Sequence, residues 1–113
     1  MYKELRIAGW RERFLGLVGW RRTILVDGES MLPVLSSGDR VLIDPKAEIA
    51  VGDIVVAKHP FKKSVRMIKR VSAIDSNANY VLTGDNPTES SDSRSLGSFP
   101  ASEILGKVVS KTK

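Results

Sequence analysis

Short runs of β-branched and aliphatic residues, each bounded by turn-forming residues, dominate this sequence and restrict its fold. Gly-Asp pairs occur at Gly38, Gly52 and Gly84, and Asp27-Gly28 ends the first run. Runs of four to ten such residues between Gly, Asp and Pro are typical of strands joined by turns. Nothing indicates alternating strand–helix units, so the sequence predicts a compact all-β fold of several short strands. The predicted strands cover residues 23–26, 40–43, 54–58, 65–74, 80–83 and 104–109.

The chain has 113 residues, which is enough for one hydrophobic core. It contains no cysteine, and this excludes disulfides, thiolate catalysis and cysteine-bound zinc. Residues 1–22 carry six of the 18 Lys and Arg but only two of the 13 Asp and Glu. They therefore hold +4 of the net charge of +5, and residues 23–113 are nearly neutral. A nucleic-acid-binding domain would need a basic face, so no nucleic-acid partner is expected.

Residues 1–22 form a basic arm that precedes the predicted domain, residues 23–113. Five apolar side chains of the arm would share one face of a short helix: Ile7, Trp10, Phe14, Leu17 and Val18. Such a face packs against the domain or a partner, or lies on a membrane surface. No run reaches the ~18 apolar residues of a membrane span. The expected location is the cytoplasm, with peripheral membrane contact through the arm as an open alternative.

Ser30 is the first candidate for chemistry. It follows a predicted strand and comes two residues after Gly28, which allows a sharp turn and a close approach to substrate. Its backbone N–H is suited to holding an oxyanion during acyl transfer. The apolar residues Met31 and Leu32 would anchor the turn from below. The alternative is an ordinary loop serine.

Lys69 is the second candidate, because strand alternation places it among apolar side chains. On this alternation Arg66, Ile68, Arg70 and Ser72 point to one side, and Met67, Lys69, Val71 and Ala73 to the other. Burial lowers the pKa of an amine, and a lysine that is neutral near pH 7 can accept a serine proton. The alternative is a lysine whose amine reaches water.

The polar stretch of residues 84–94 predicts a long loop, made rigid by its own side chains. Asp85 and Asp92 are both suited to hold Arg94. A metal site built from Asp85, Glu89 and Asp92 lacks the ligand spacing of a calcium loop. His59 is the single histidine, and nothing around it favours a Ser-His-Asp triad. No metal and no cofactor are therefore expected.

These stretches together resemble the type I signal peptidase family of Ser/Lys peptidases (S26-type). Residues 28–33 are similar to the family's nucleophile box, residues 38–42 to the box that follows, and residues 68–71 to the lysine box. Gly84-Asp85-Asn86, continuing to Ser91-Asp92-Ser93-Arg94, resembles the closing box. The four boxes occur in the family's order.

The resemblance implies a serine endopeptidase with a Ser/Lys dyad and a signal-peptidase/LexA-like β-fold. Ser30 would be the nucleophile, Lys69 the general base, and Ser90 the residue that orients the lysine. Asp92 and Arg94 would form a structural pair beside the site. Gly28 occupies the position where some members carry a second oxyanion donor. An extended cleft with a preference for small residues before the scissile bond is also implied.

The most similar branch is the one that matures nickel-type superoxide dismutase, on the basis of the compact chain, the closing box and His59-Pro60. The partner would be a precursor protein with an N-terminal leader, and the nickel would belong to that substrate. Three alternatives remain open. The first is general processing of exported proteins, and the second is a LexA-type switch that cleaves its own chain at Ala8-Gly9. The third is a non-enzymatic binding module that docks through residues 1–22.

Overall fold

The fold is a single antiparallel sheet, seen in a computed structural model that describes residues 22–62, 64–86 and 96–112. The all-β prediction is confirmed, and each predicted strand is present with ends that shift by up to three residues. A 3₁₀ turn, Ala101–Glu103, precedes the last strand. The strands are β1 (Arg22–Leu25), β2 (Arg40–Asp44), β3 (Ile54–Lys58), β4 (Arg66–Ile74), β5 (Tyr80–Thr83) and β6 (Ile104–Thr112).

The last strand lies in the middle of the sheet. The order is β1-β2-β6-β3-β4-β5, so β6 joins the β1–β2 hairpin to the β3–β4–β5 meander. Four antiparallel steps separate β1 from β4, and these two strands therefore run in the same direction. Strand β4 is not an edge strand, because β5 pairs with its second half, Arg70–Ile74. The first half, Arg66–Lys69, has no described partner strand on that side.

Strand β3 is covered on both faces, which explains its uninterrupted apolar sequence. The four residues from Ile54 to Ala57 are all buried. A strand that faces a core on each side shows a continuous hydrophobic run, whereas a strand with one wet face alternates. Ile54 and Val56 pack in one cluster with Val41, Ile43 and Val108. Val55 and Ala57 pack in the other, with Met67, Val71, Leu82 and Phe99.

Irregular pairing at three places bends the sheet. Register shifts occur between Leu42 and Ile43, between Val56 and Ala57, and between Val71 and Ala73. An extra residue in one strand increases local twist and re-aims the side chains that follow. The strict alternation expected as far as Ala73 is therefore wrong at its end: Met67, Lys69 and Val71 are buried, but Ala73 is exposed.

The predicted N-terminal helix and the boundary after residue 22 fall outside the described residues. Among the residues that the structure describes, no helix is long and apolar enough to cross a membrane.

Ser110 provides a test of the core. Its side chain is completely buried beside β2, and its Oγ has no hydrogen-bond partner among the described residues. Since a buried unsatisfied hydroxyl is unfavourable, we expect Ser110→Ala to raise the free energy of unfolding by about 1 kcal/mol in urea titrations. Ser72→Ala is the control, because its exposed Oγ donates to the Val81 carbonyl at 3.1 Å and its loss should be slightly destabilising. A clear loss of stability in Ser110→Ala would contradict this description of the core.

Candidate active site

Ser30 lies in the loop that joins β1 to β2. Backbone hydrogen bonds from Val26 to the Asp39 carbonyl and from Gly38 to the Val26 carbonyl, of 2.8 and 2.9 Å, close the base of this loop. Gly28 has a φ of +90°, and a Cβ there would meet nothing within 4 Å. Glycine is therefore required at position 28 for its backbone conformation rather than for space, as the sequence predicted.

Apolar side chains hold the Ser30 turn against the core. Met31 and Leu35 are almost fully buried in the first cluster, and the N–H of Leu35 donates to the Met31 carbonyl at 2.9 Å. Ser30 itself is half-buried. Among the described residues, no hydrogen bond occupies its backbone N–H. The prediction that Met31 and Leu32 anchor the turn is confirmed for Met31, whereas Leu32 is half-buried and Leu35 takes the second place in the core. The Ser30 amide is available to a ligand.

Lys69 lies on β4, opposite Val55 of β3, and is 4% exposed. Its neighbours by alternation, Met67 and Val71, belong to the second core cluster. The placement of Lys69 among apolar side chains is therefore confirmed. Burial keeps the amine away from water. This is the environment that the proposed base requires, because burial disfavours the charged form of an amine.

Gly84 is where Ser30 and Lys69 come together. A Cβ built on Gly84 would lie 3.6 Å from the Cβ of Ser30 and 3.6 Å from the Nζ of Lys69. The Ser30 Cβ and the Lys69 Nζ are therefore separated by no more than twice that distance. The same Cβ would lie 2.8 Å from the Ser30 carbonyl oxygen, a separation that real Cβ atoms do not show. Position 84 therefore requires glycine because there is no space for a side chain. The sequence predicts only a turn at Gly84-Asp85 and does not reveal this close contact.

Asn86 fastens the Gly84 segment to the serine loop. Its backbone N–H donates to the Ser30 carbonyl at 2.8 Å, and its side-chain Nδ2 donates to the Glu29 carbonyl at 3.0 Å. Two hydrogen bonds from one residue fix both the distance and the direction of the Ser30 backbone. We refer to Gly84-Asp85-Asn86 as the clamp turn.

A buried ion pair holds the clamp turn against β4. Arg70 Nε donates to one carboxylate oxygen of Asp85 at 2.9 Å, and Arg70 NH2 donates to the other at 2.8 Å. Arg70 NH1 donates to the Gly52 carbonyl at 2.7 Å. The two side chains are only 3% and 2% exposed. Planar bidentate pairing of this kind fixes orientation as well as distance.

The sequence does not reveal this ion pair, since it suggests Asp85 as a partner of Arg94 or as a metal ligand. A signal for it is present, because Arg70 lies in a strand whose residues are mostly apolar, and a buried arginine needs an anionic partner. Because Arg70 directly follows Lys69 and Asp85 directly follows Gly84, the pair sets the position of the lysine relative to the serine loop.

A cleft of about 580 Å³ opens beside Ser30 and Lys69. One wall is the segment from Thr23 to Gly28, and the other is the segment from Val65 to Lys69. The outer edge of β1 and the outer edge of Arg66–Lys69 have no partner strand among the described residues. Unpaired strand edges offer backbone donors and acceptors to an extended peptide.

His59 also borders the cleft, but its ring serves the local turn. Its Nδ1 accepts hydrogen bonds from the N–H groups of Phe61 and Lys62, both at 3.1 Å. The described residues contain no cluster of three or more His, Asp and Glu that could bind a metal ion. Three residues of the predicted site, Ser90, Asp92 and Arg94, lie outside the described residues, and their roles stay predictions.

The model of the Peptidase S24-like family matches residues 22–109, and the chain belongs to this family.

One curated relative is the mitochondrial inner membrane protease subunit 1 of Xenopus tropicalis, which is 35% identical over 108 residues. The match covers 75% of this chain and 65% of the relative, so the chain spans less than two thirds of that protein's length. The predicted relationship to peptidases is confirmed, and the branch that matures nickel-type superoxide dismutase stays a prediction.

The ion pair gives the first prediction for the site. Arg70→Met should lower the free energy of unfolding by about 3–5 kcal/mol, because it leaves the Asp85 carboxylate buried without its partner. Arg70→Lys should recover little of this, since an ammonium cannot reproduce the bidentate geometry. Denaturant unfolding measures both. Arg66→Gln is the matched control on the same strand, because Arg66 is exposed and its loss should change stability by less than about 0.5 kcal/mol. Equal effects at positions 66 and 70 would contradict the assignment.

Gly84→Ala tests the close approach. The added methyl must displace the Ser30 carbonyl, and we expect a loss of about 1–3 kcal/mol in unfolding free energy. It should also change the NMR signals of Ser30 and Asn86. Gly28→Ala is the comparison, because its cost comes from backbone conformation alone and should be about 1 kcal/mol. Unchanged Ser30 signals in Gly84→Ala would contradict the packing described here.

Proposed function

We propose that this protein is a serine endopeptidase in which Ser30 is the nucleophile and Lys69 the general base. The observation that carries the proposal is the convergence of Ser30 and the Lys69 amine on Gly84 at the end of an open cleft. The residues come from two distant parts of the chain, and a buried ion pair and two hydrogen bonds keep them together. Membership of a peptidase family supports the same chemistry.

The reaction would proceed by acyl transfer. The Ser30 hydroxyl attacks the scissile carbonyl carbon while the neutral Lys69 amine takes its proton. The resulting oxyanion accepts a hydrogen bond from the Ser30 N–H. Lys69 then gives the proton to the leaving amine as the peptide bond breaks, and an ester to Ser30 remains. Water, deprotonated by Lys69, hydrolyses the ester and regenerates the serine. Ser90 would orient the lysine, as the resemblance implies.

The substrate would bind as an added strand. Cleft walls formed by two unpaired strand edges suit a chain in extended conformation, with alternate side chains entering the cleft. A segment with small residues beside the scissile bond fits the close approach of the clamp turn to Ser30. Both features agree with removal of an N-terminal leader from a precursor protein.

The narrower proposal is that the precursor is nickel-type superoxide dismutase. It rests on the resemblance of the closing box and of His59-Pro60. The alternatives are general processing of exported precursors and cleavage of this chain at Ala8-Gly9, a bond that lies outside the described residues.

Cleavage assays with mass spectrometry test the dyad. The protein is incubated with a leader-bearing nickel superoxide dismutase precursor and, separately, with a secretory precursor. We expect one cut by the wild type and a loss of at least about 10³-fold in rate in both Ser30→Ala and Lys69→Ala. Ser76→Ala and Lys46→Ala, at exposed positions away from the cleft, are the matched controls and should cut normally.

The pattern of products separates the alternatives. Cleavage of the secretory precursor alone would retain the chemistry and refute the superoxide dismutase assignment. Self-cleavage would appear as a shortened chain that is absent in Ser30→Ala. Cleavage that survives Lys69→Ala would refute the proposed base, and no cleavage of any precursor or of the chain itself would refute the peptidase.

A further inference from the structure

The end of the cleft farthest from Ser30 carries two exposed cations. Lys62 and Arg66 both line the cleft. Neither side chain makes an ion pair or hydrogen bond within the described part of the chain. The turn that carries Lys62 is fixed by His59, whose Nδ1 accepts the N–H of Lys62 at 3.1 Å. The two cations are therefore presented to the cleft from an ordered wall.

The charges of the cleft are separated along its length. Besides the buried Lys69, its lining contains two exposed cations, Lys62 and Arg66, and one anion, Asp27. Asp27 adjoins Gly28 at the end of β1 nearest Ser30. Since β1 and β4 run in the same direction, the starts of both strands lie at the opposite end, where Arg66 begins β4. The exposed cations thus face a region that no anionic side chain of the lining neutralises.

The strand geometry sets the distance from the reaction centre. Arg66 precedes Lys69 by three strand residues, which is about 10 Å. An extended substrate advances by the same amount per residue. Arg66 and Lys69 alternate to opposite sides of β4, but both line the cleft along the unpaired edge of the strand. A substrate side chain three or four positions from the scissile bond would consequently lie beside Arg66 and near Lys62.

We propose that Arg66 and Lys62 are specificity-determining residues that select a substrate with an acidic side chain three or four residues from the scissile bond. This inference deepens the proposed function and rests on it. The cleft wall formed by β1 is uncharged from Thr23 to Val26, and it therefore offers the substrate no competing charge. Complementary charges in such a cleft favour the matching ligand and penalise one of the same sign.

The expected preference is modest because both cations are exposed to solvent. We expect a three- to tenfold ratio of kcat/KM between an acidic and a basic peptide, larger at low salt and reduced at 0.5 M salt by screening.

Matched peptides provide the test. They share one extended sequence with alanine beside the scissile bond, and they carry Asp, Asn or Lys at the third or fourth position on either side. Competition assays give relative kcat/KM for the wild type, Arg66→Glu and Lys62→Glu. The order for the wild type should be Asp, then Asn, then Lys, on one side of the bond only. Arg66→Glu should reverse the order, and Lys62→Glu should weaken it. Lys46→Glu, an equal charge change at an exposed position outside the cleft, should keep the wild-type order.

Binding of the same peptides to Ser30→Ala, measured by fluorescence anisotropy, separates the recognition of acidic side chains from the proposed peptidase chemistry. Equal kcat/KM of the wild type for Asp and Lys peptides, or a preference for Asp that persists in Arg66→Glu, would overturn the specificity assignment. Neither result would contradict the proposed peptidase activity. Salt-dependent selection of Asp peptides by Ser30→Ala, without cleavage by the wild type, would overturn the proposed chemistry and support the recognition of acidic segments.

Discussion

The ion pair between Arg70 and Asp85 is the constraint on which the arrangement of the site depends. Both side chains are excluded from water, and three hydrogen bonds from the guanidinium reach the carboxylate and the Gly52 carbonyl. Charges in such surroundings are tolerated only with well-formed partners. If the clamp turn moved away from β4, Asp85 and Arg70 would each lose their buried partner. Because Ser30 is hydrogen-bonded to the clamp turn, the ion pair also restrains Ser30.

This arrangement joins residues that are far apart in sequence through the order of the strands. Lys69 is on β4, the serine loop follows β1, and three strands separate them in the sheet. Bending of the sheet at its register shifts and the packing of Met31 and Leu35 bring the loop back over β4. Gly84 then permits contact at a distance that any side chain would prevent. The fold brings Ser30 and Lys69 close together, and the ion pair and Asn86 fix their orientation, and a dyad would require both.

The strands could be predicted from the sequence because each one is a local pattern, an apolar run with a turn at each end. Ser30 and Lys69 could be singled out for the same reason, from Gly28 in a turn and from alternation in β4. Their convergence could not be derived, because it depends on β6 entering the sheet between β2 and β3. Arg70 shows the limit most clearly. Alternation places it opposite Lys69, but the sequence of β4 alone does not reveal that both of its faces are covered. The apolar run Ile54–Ala57 of β3 carries that information indirectly.

Amide hydrogen exchange at Asn86 tests most directly whether the ion pair holds the serine loop in place. The N–H of Asn86 donates to the Ser30 carbonyl, so its protection reports the closed clamp turn. In the wild type, we expect protection of Asn86 approaching that of Val56 in β3. In Asp85→Asn, protection should fall strongly at Asn86 while Val56 stays protected. Rapid exchange of Asn86 in the wild type, or unchanged protection in Asp85→Asn, would contradict the account.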